Sequence, residues 1–248
     1  MVGDQNPHVR MSLASSILKC VPVIPKDMWA GSIVGACTKL LQDTEADVRL
    51  ALVSCFSAMG NTPEAKELAP RLIAVVIGLV SDAKWRIRQT VVEQIPSIVA
   101  NLGKSADEML DVCIRCLEDR VSTIRVAACK ACCGLMEQNP VSWWETTLLP
   151  RVFSLQNQTN YLRRVTLAQF LIEAAAVAAL DASTSQRLFL PVLVALASDR
   201  IANVRLNCAK AVIALRDAGK LPRAESDGII NRLQGDSDAD VRTAAGKK

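Results

Sequence analysis

The sequence predicts an all-α protein, a right-handed α-solenoid of stacked antiparallel helix pairs. Three observations carry that prediction. Half of the 248 residues are hydrophobic but only 4% are aromatic, and Ala, Leu, Val, Arg and Ser dominate, which suits packed helices better than a sandwich or barrel. An aliphatic–Arg dipeptide recurs seven times, at Val9-Arg10, Val48-Arg49, Ile87-Arg88, Ile124-Arg125, Leu162-Arg163, Val204-Arg205 and Val241-Arg242, with Arg spacings of 39, 39, 37, 38, 42 and 37 residues. Six positions before each Arg stands Asp4, Asp43, Asp82, Asp119, Asn157, Asp199 or Asp236.

Each period holds two apolar segments with helical spacing, one ending near the Asp and one starting near the Arg. For the first, Leu40, Leu79, Cys116, Leu196 and Leu233 recur three residues before the Asp, with Ser154 the polar exception. For the second, Ala14, Val53, Val92, Cys129, Leu167 and Ala209 recur four residues after the Arg, and Ile17, Phe56, Ile95, Cys132, Phe170 and Val212 seven after. Two helices per roughly 40 residues is the pattern of HEAT-type repeats. The expected organisation is one solenoid over residues 1–248, with about six repeats and incomplete terminal ones. Trp143-Trp144, after Asn139-Pro140, is expected to open the first helix of the fifth repeat with at least one ring inward.

The repeated Asp and Arg have a physical reading. A carboxylate in the turn before the second helix accepts backbone N–H groups and favours the positive helix end. The Arg, with five donors on a long stem, can reach the Asp of the adjacent repeat. Asp43, Arg49, Asp82, Arg88, Asp119, Arg125, Asp199, Arg205, Asp236 and Arg242 are therefore expected to form a structural ladder.

The stretch Cys113 to Cys133 contains two Cys-x-x-Cys pairs separated by twelve residues, a spacing that admits a zinc site or a redox dithiol. The repeat register places Cys113, Cys116, Cys129 and Cys132 at core positions of a helical hairpin, where free Cys behaves as a small hydrophobe. No metal and no cofactor is expected. The single histidine, His8, has no nucleophile paired with it in sequence, and no Gly-rich phosphate loop or isolated carboxylate pair is present, so the chain is not expected to be an enzyme. One histidine also excludes an iron site of several His-Glu pairs.

A net charge of +4 without a block of like charges argues against nucleic acid. The longest apolar run, Leu72 to Val80, is about half of a membrane span. Nine Cys with no apolar leader segment point to a reducing compartment, the cytoplasm and also the nucleus. Asn157-Gln158-Thr159 matches a glycosylation acceptor and reads as chance in that setting.

Residues that break the repeat are candidates for contact. Trp85 with Arg86 in the third repeat, Tyr161 in the fifth and Asn203 in the sixth all fall in the turn before a second helix. Aromatic and Arg side chains there read as hot spots for a protein partner, because a turn does not need them for stacking.

DAKWRIRQTVVEQIP (82–96), NYLRRVTLAQFL (160–171) and DRIANVRLNCAKA (199–211) closely resemble the scaffold (A) subunit of protein phosphatase 2A. The resemblance runs in register from DQNPHVRMSLASSI to DSDADVR and corresponds to the C-terminal half of that scaffold. It implies a non-catalytic HEAT solenoid whose intra-repeat turns hold the phosphatase catalytic subunit. Carried over by residue, it implies contacts at Trp85, Arg86, Tyr161, Arg164 and Asn203, with Ser122 and Thr123 where the family usually has an aromatic. Regulatory B-type subunits are a further implied partner class, although the N-terminal half that recruits them is expected to be lacking. The rivals are another HEAT adaptor, for transport or assembly, and a HEAT protein that binds DNA.

Overall fold

A computed structural model of the chain describes residues 1–23, 33–56, 60, 63–102 and 106–246. They divide into two compact units, Met1–Ala127 and Ala128–Lys248. Both are helical, with no strand among the described residues.

In the first unit α1 is Pro7–Ile17, followed by a 3-10 segment, Leu18–Val23. Helices α2 (Val34–Leu41) and α3 (Ala46–Cys55) form one pair. Helices α4 (Pro63–Leu79) and α5 (Trp85–Leu102) form the next. Then come α6 (Ala106–Cys116) and α7 (Ser122–Gln138), which runs past the boundary between the units. Second helices stack on second helices, α1 on α3 and α3 on α5, while α2 packs on α4.

The second unit repeats the plan. Its opening helix is interrupted: α8 (Val141–Trp143) passes through a π turn, Trp144–Leu148, into α9 (Leu149–Phe153) and a 3-10 turn, Ser154–Asn157. Helix α10 (Tyr161–Ala174) follows, then α11 (Ala182–Leu188), α12 (Leu190–Leu196), α13 (Ala202–Asp217), α14 (Arg223–Gln234) and α15 (Ala239–Ala244). Here α10 packs on α13, α13 on α15 and α12 on α14.

Caps and the core explain these boundaries. Asn6, Asn160 and Asp238 cap α1, α10 and α15 through their side chains, satisfying N–H groups that a helix start leaves open. Helix α13 ends at Gly219, whose φ of 69° is open to glycine; Gly219 N–H donates to Arg216 O and Lys220 N–H to Leu215 O, a Schellman closure. Trp144 is wholly buried, and its Nε1 donates to Met136 O and Asn139 O, each at 2.9 Å. That indole thereby adds a donor to two carbonyls where α7 ends, Met136 O also accepting from Asn139 N–H at 3.3 Å.

Cys113, Cys116, Cys129, Cys132 and Cys208 lie in the core beside Leu, Val and Ala side chains. Cys129 Sγ donates to Thr166 O and Cys208 Sγ to Leu193 O. Burial pushes the Cys37 and Cys208 thiols up to about 12, so both are held as thiols. Among the described residues no group of three or more His, Cys, Asp or Glu is arranged to hold a metal ion. No described helix is long and apolar enough to cross a membrane.

Candidate functional site

Every second helix begins three residues before an Arg, and that Arg closes the turn in one way. Its Nη1 donates to the backbone carbonyls six and five residues earlier. The contacts are Arg10 to Asp4 and Gln5, Arg49 to Asp43 and Thr44, Arg88 to Asp82 and Ala83, Arg125 to Asp119 and Arg120, and Arg242 to Asp236 and Ser237. Arg205 reaches Asp199 O at 2.8 Å. The Asp of each turn folds back on the N–H two residues on, as Asp43 does to Glu45, Asp82 to Lys84, Asp119 to Val121, Asp199 to Ile201 and Asp236 to Asp238. These are Asx turns, their Asp standing two residues ahead of the helix cap itself.

The remaining guanidinium nitrogens reach into the next repeat. Arg10 holds Asp43 through Nε at 2.6 Å and Nη2 at 2.9 Å. Arg88 holds Asp119 at 2.9 and 3.1 Å, and Arg205 holds Asp236 at 2.6 and 2.7 Å. Such two-point pairs are strong and directional. Arg10 holds the Asp43 carboxyl below its ordinary range, and Arg205 pulls that of Asp236 to about 2, burial opposing in both. Burial pushes the Asp119 and Asp199 carboxyls up, but the bonds from Arg88 and Arg164, with the Val121 and Ile201 N–H groups, hold both below it.

Two rungs differ from the sequence reading. No ion pair joins Arg49 to Asp82; that junction is bridged at the surface instead, by Lys84 Nζ to Asp47 Oδ2 at 3.0 Å. In the fifth repeat the ladder residue is Arg164, not Arg163. Arg164 donates to Gln158 O and Thr159 O and forks onto Asp199, with its side chain only 8% exposed. The slip has a local cause: Asn160 caps Leu162 N–H and fixes the helix start at Tyr161, so the residue three further on is Arg164. Arg164 was expected as a partner contact, and it is engaged inside the chain. The position six residues before it is Gln158, so a neutral amide stands where other repeats carry Asp.

This register makes Trp85 and Tyr161 equivalent, each the first residue of a second helix. Each is 39% exposed, and they are the only exposed aromatics among the described residues. The Arg86 guanidinium carbon lies 4.8 Å from the centre of the Trp85 ring, a cation–π contact that holds both side chains at the surface. Thr123 is exposed at the second position of α7. Asn203 holds the second position of α13, its Oδ1 accepting from Asn207 Nδ2 at 3.0 Å. In the first unit, then, Trp85, Arg86 and Thr123 occupy successive repeat turns; in the second, Tyr161 and Asn203 do.

A HEAT repeat family model matches residues 33–62. The karyopherin Kap121p bound to the SUMO protease Ulp1p is similar in structure, with a TM-score of 0.67 and 14% identity over 98% of this chain and 27% of that one. Kap121p bound to the extreme C-terminus of the protein phosphatase Cdc14p gives a TM-score of 0.58 and 15% identity over 98% and 32%. The fold is that of a HEAT-type helical repeat protein. A designed armadillo repeat protein matches at a TM-score of 0.44 and 17% identity, over 86% of this chain and 97% of that one. This chain spans between a quarter and a third of the length of the karyopherin chains. No curated protein matches the sequence. The matched family is a structural repeat and indicates no enzymatic class.

Proposed function

We propose that the chain is a protein–protein adaptor that holds its partner by the side chains opening its second helices, and that this partner is the catalytic subunit of protein phosphatase 2A. The observation that carries the adaptor reading is the exposure of Trp85 and Tyr161 at one equivalent position of two repeats. A large ring left at the surface by a turn already closed through Arg88 or Arg164 adds little to folding and is suited to filling a partner's pocket. Arg86, Thr123 and Asn203 complete the contact set; Arg164 acts by fixing the turn that presents Tyr161.

The choice of partner rests on the resemblance of residues 82–96 and 160–171 to the phosphatase scaffold. The mechanism is positional: the adaptor raises the effective concentration of the phosphatase near whatever else it holds, and makes or breaks no bond itself. The likeness to Kap121p is one of fold and supports an adaptor without choosing its cargo.

Calorimetric titration of the chain with the phosphatase catalytic subunit tests both layers. The native chain binds, and Trp85→Ala and Tyr161→Ala each weaken binding by about 2 kcal/mol while circular dichroism stays unchanged. Binding that ignores both substitutions removes the proposed site. No binding removes the phosphatase reading and leaves a transport or assembly adaptor as the reading to pursue.

A further inference from the structure

The faces of α1 and α3 carry a trough that the ladder bonds do not use. Met11, Ser12, Ser15, Ser16, Asp47, Leu50, Ala51 and Ser54 line a cavity of about 430 Å³. It runs on into a second, of about 250 Å³, which shares Met11 and Asp47 and adds Pro7, His8, Glu45 and Val48. Three features of this trough point to one kind of occupant.

The first is its dimensions. Helices of 11 and 10 residues give a channel about 15 Å long at 1.5 Å per residue, which fits four or five residues of extended chain at about 3.3 Å each. The second is its lining. Met11, Leu50 and Ala51 leave an apolar floor half-exposed, and a Met side chain adapts to varied contacts. Serines recur along both walls and offer hydroxyl groups to an extended backbone. The third is charge. Glu45 and Asp47 give the His8 end two exposed carboxylates. Asp47 is paired with Lys84, the two side chains being 52% and 65% exposed. An exposed pair of that kind contributes little and exchanges readily for another cation.

We infer that this trough binds a short extended peptide, apolar along the serine-lined floor and carrying a Lys or Arg at the Glu45–Asp47 end. The bound cation takes the place of Lys84 on Asp47. The trough lies on the faces of α1 and α3, whereas the proposed phosphatase contacts open the second helices of later repeats, so either can fail without the other.

The probe is a fluorescein-labelled peptide of sequence Ser-Leu-Ala-Leu-Lys, followed by anisotropy at low salt, beside the same peptide ending in Glu. The native chain is expected to bind the Lys peptide at least tenfold tighter than the Glu peptide. Asp47→Asn, at an exposed position, erases most of that preference, and Ser12→Tyr, which fills the channel from its rim, abolishes binding of both. Thermal melts of the two variants should match the native chain. Equal affinity for the two peptides, no binding of either, or binding that survives Ser12→Tyr overturns the proposal. A dimer that buries this face, seen by sedimentation and unaffected by peptide, overturns it as well.

Discussion

Arg164 and Arg163 are adjacent and carry the same charge, but only Arg164 is buried in this fold. Arg164 is buried against Asp199 and two backbone carbonyls, while Arg163 is only partly covered. Arg164→Ala leaves the Asp199 carboxylate buried without its counter-ion, and is expected to cost about 3 kcal/mol in urea unfolding. Arg163→Ala should cost less than half of that, and a reversal of the two would return the ladder to the register first read from the sequence. The carboxylates at the other ends of these pairs make stability depend on pH. Their folded-state values lie below the ordinary value of about 3.9, so the stabilisation is complete above that value and is lost as pH falls toward 2. Thermal melts between pH 5 and 2 should show this loss, and Asp236→Asn should make it shallower.

At the scale of the element, the cysteines discriminate core from site. Seven of the nine are buried, Cys55 is partly covered, and Cys20 is exposed. In the native protein an aromatic disulfide reagent is expected to modify Cys20 quickly and Cys55 slowly, the other seven reacting only on unfolding. Fast modification of four or more would mean that the Cys113–Cys133 helices are open. This core was legible in the sequence because the period aligned Cys116, Cys129 and Cys132 with apolar residues of other repeats. The one-residue shift at Arg164 was not, since Leu162-Arg163 repeats the aliphatic–Arg pattern and only the Asn160 cap decides between two adjacent arginines. Counting four residues on from that capping Asn, to Arg164, would have found it. Nor did pattern matching reveal the missing Arg49–Asp82 rung, because both residues are present and only geometry keeps them apart.

At the scale of the whole molecule, a helical repeat divides labour between the groups that close a turn and the side chain that opens the following helix. Arg88 and Arg164 hold their turns from within, which leaves Trp85 and Tyr161 at the surface without a structural duty. Their exposure could not be read from sequence: Trp144, as large as Trp85, is wholly buried, with its indole N–H donating to two backbone carbonyls. What the sequence did supply was their place in the repeat, from which a turn position followed. Hydrogen–deuterium exchange, with and without the phosphatase 2A catalytic subunit, tests this division most directly. Slowed exchange is predicted in residues 82–90 and 157–166, with residues 190–197 unchanged. A complex that leaves both turn segments exchanging at their free rates would contradict the account.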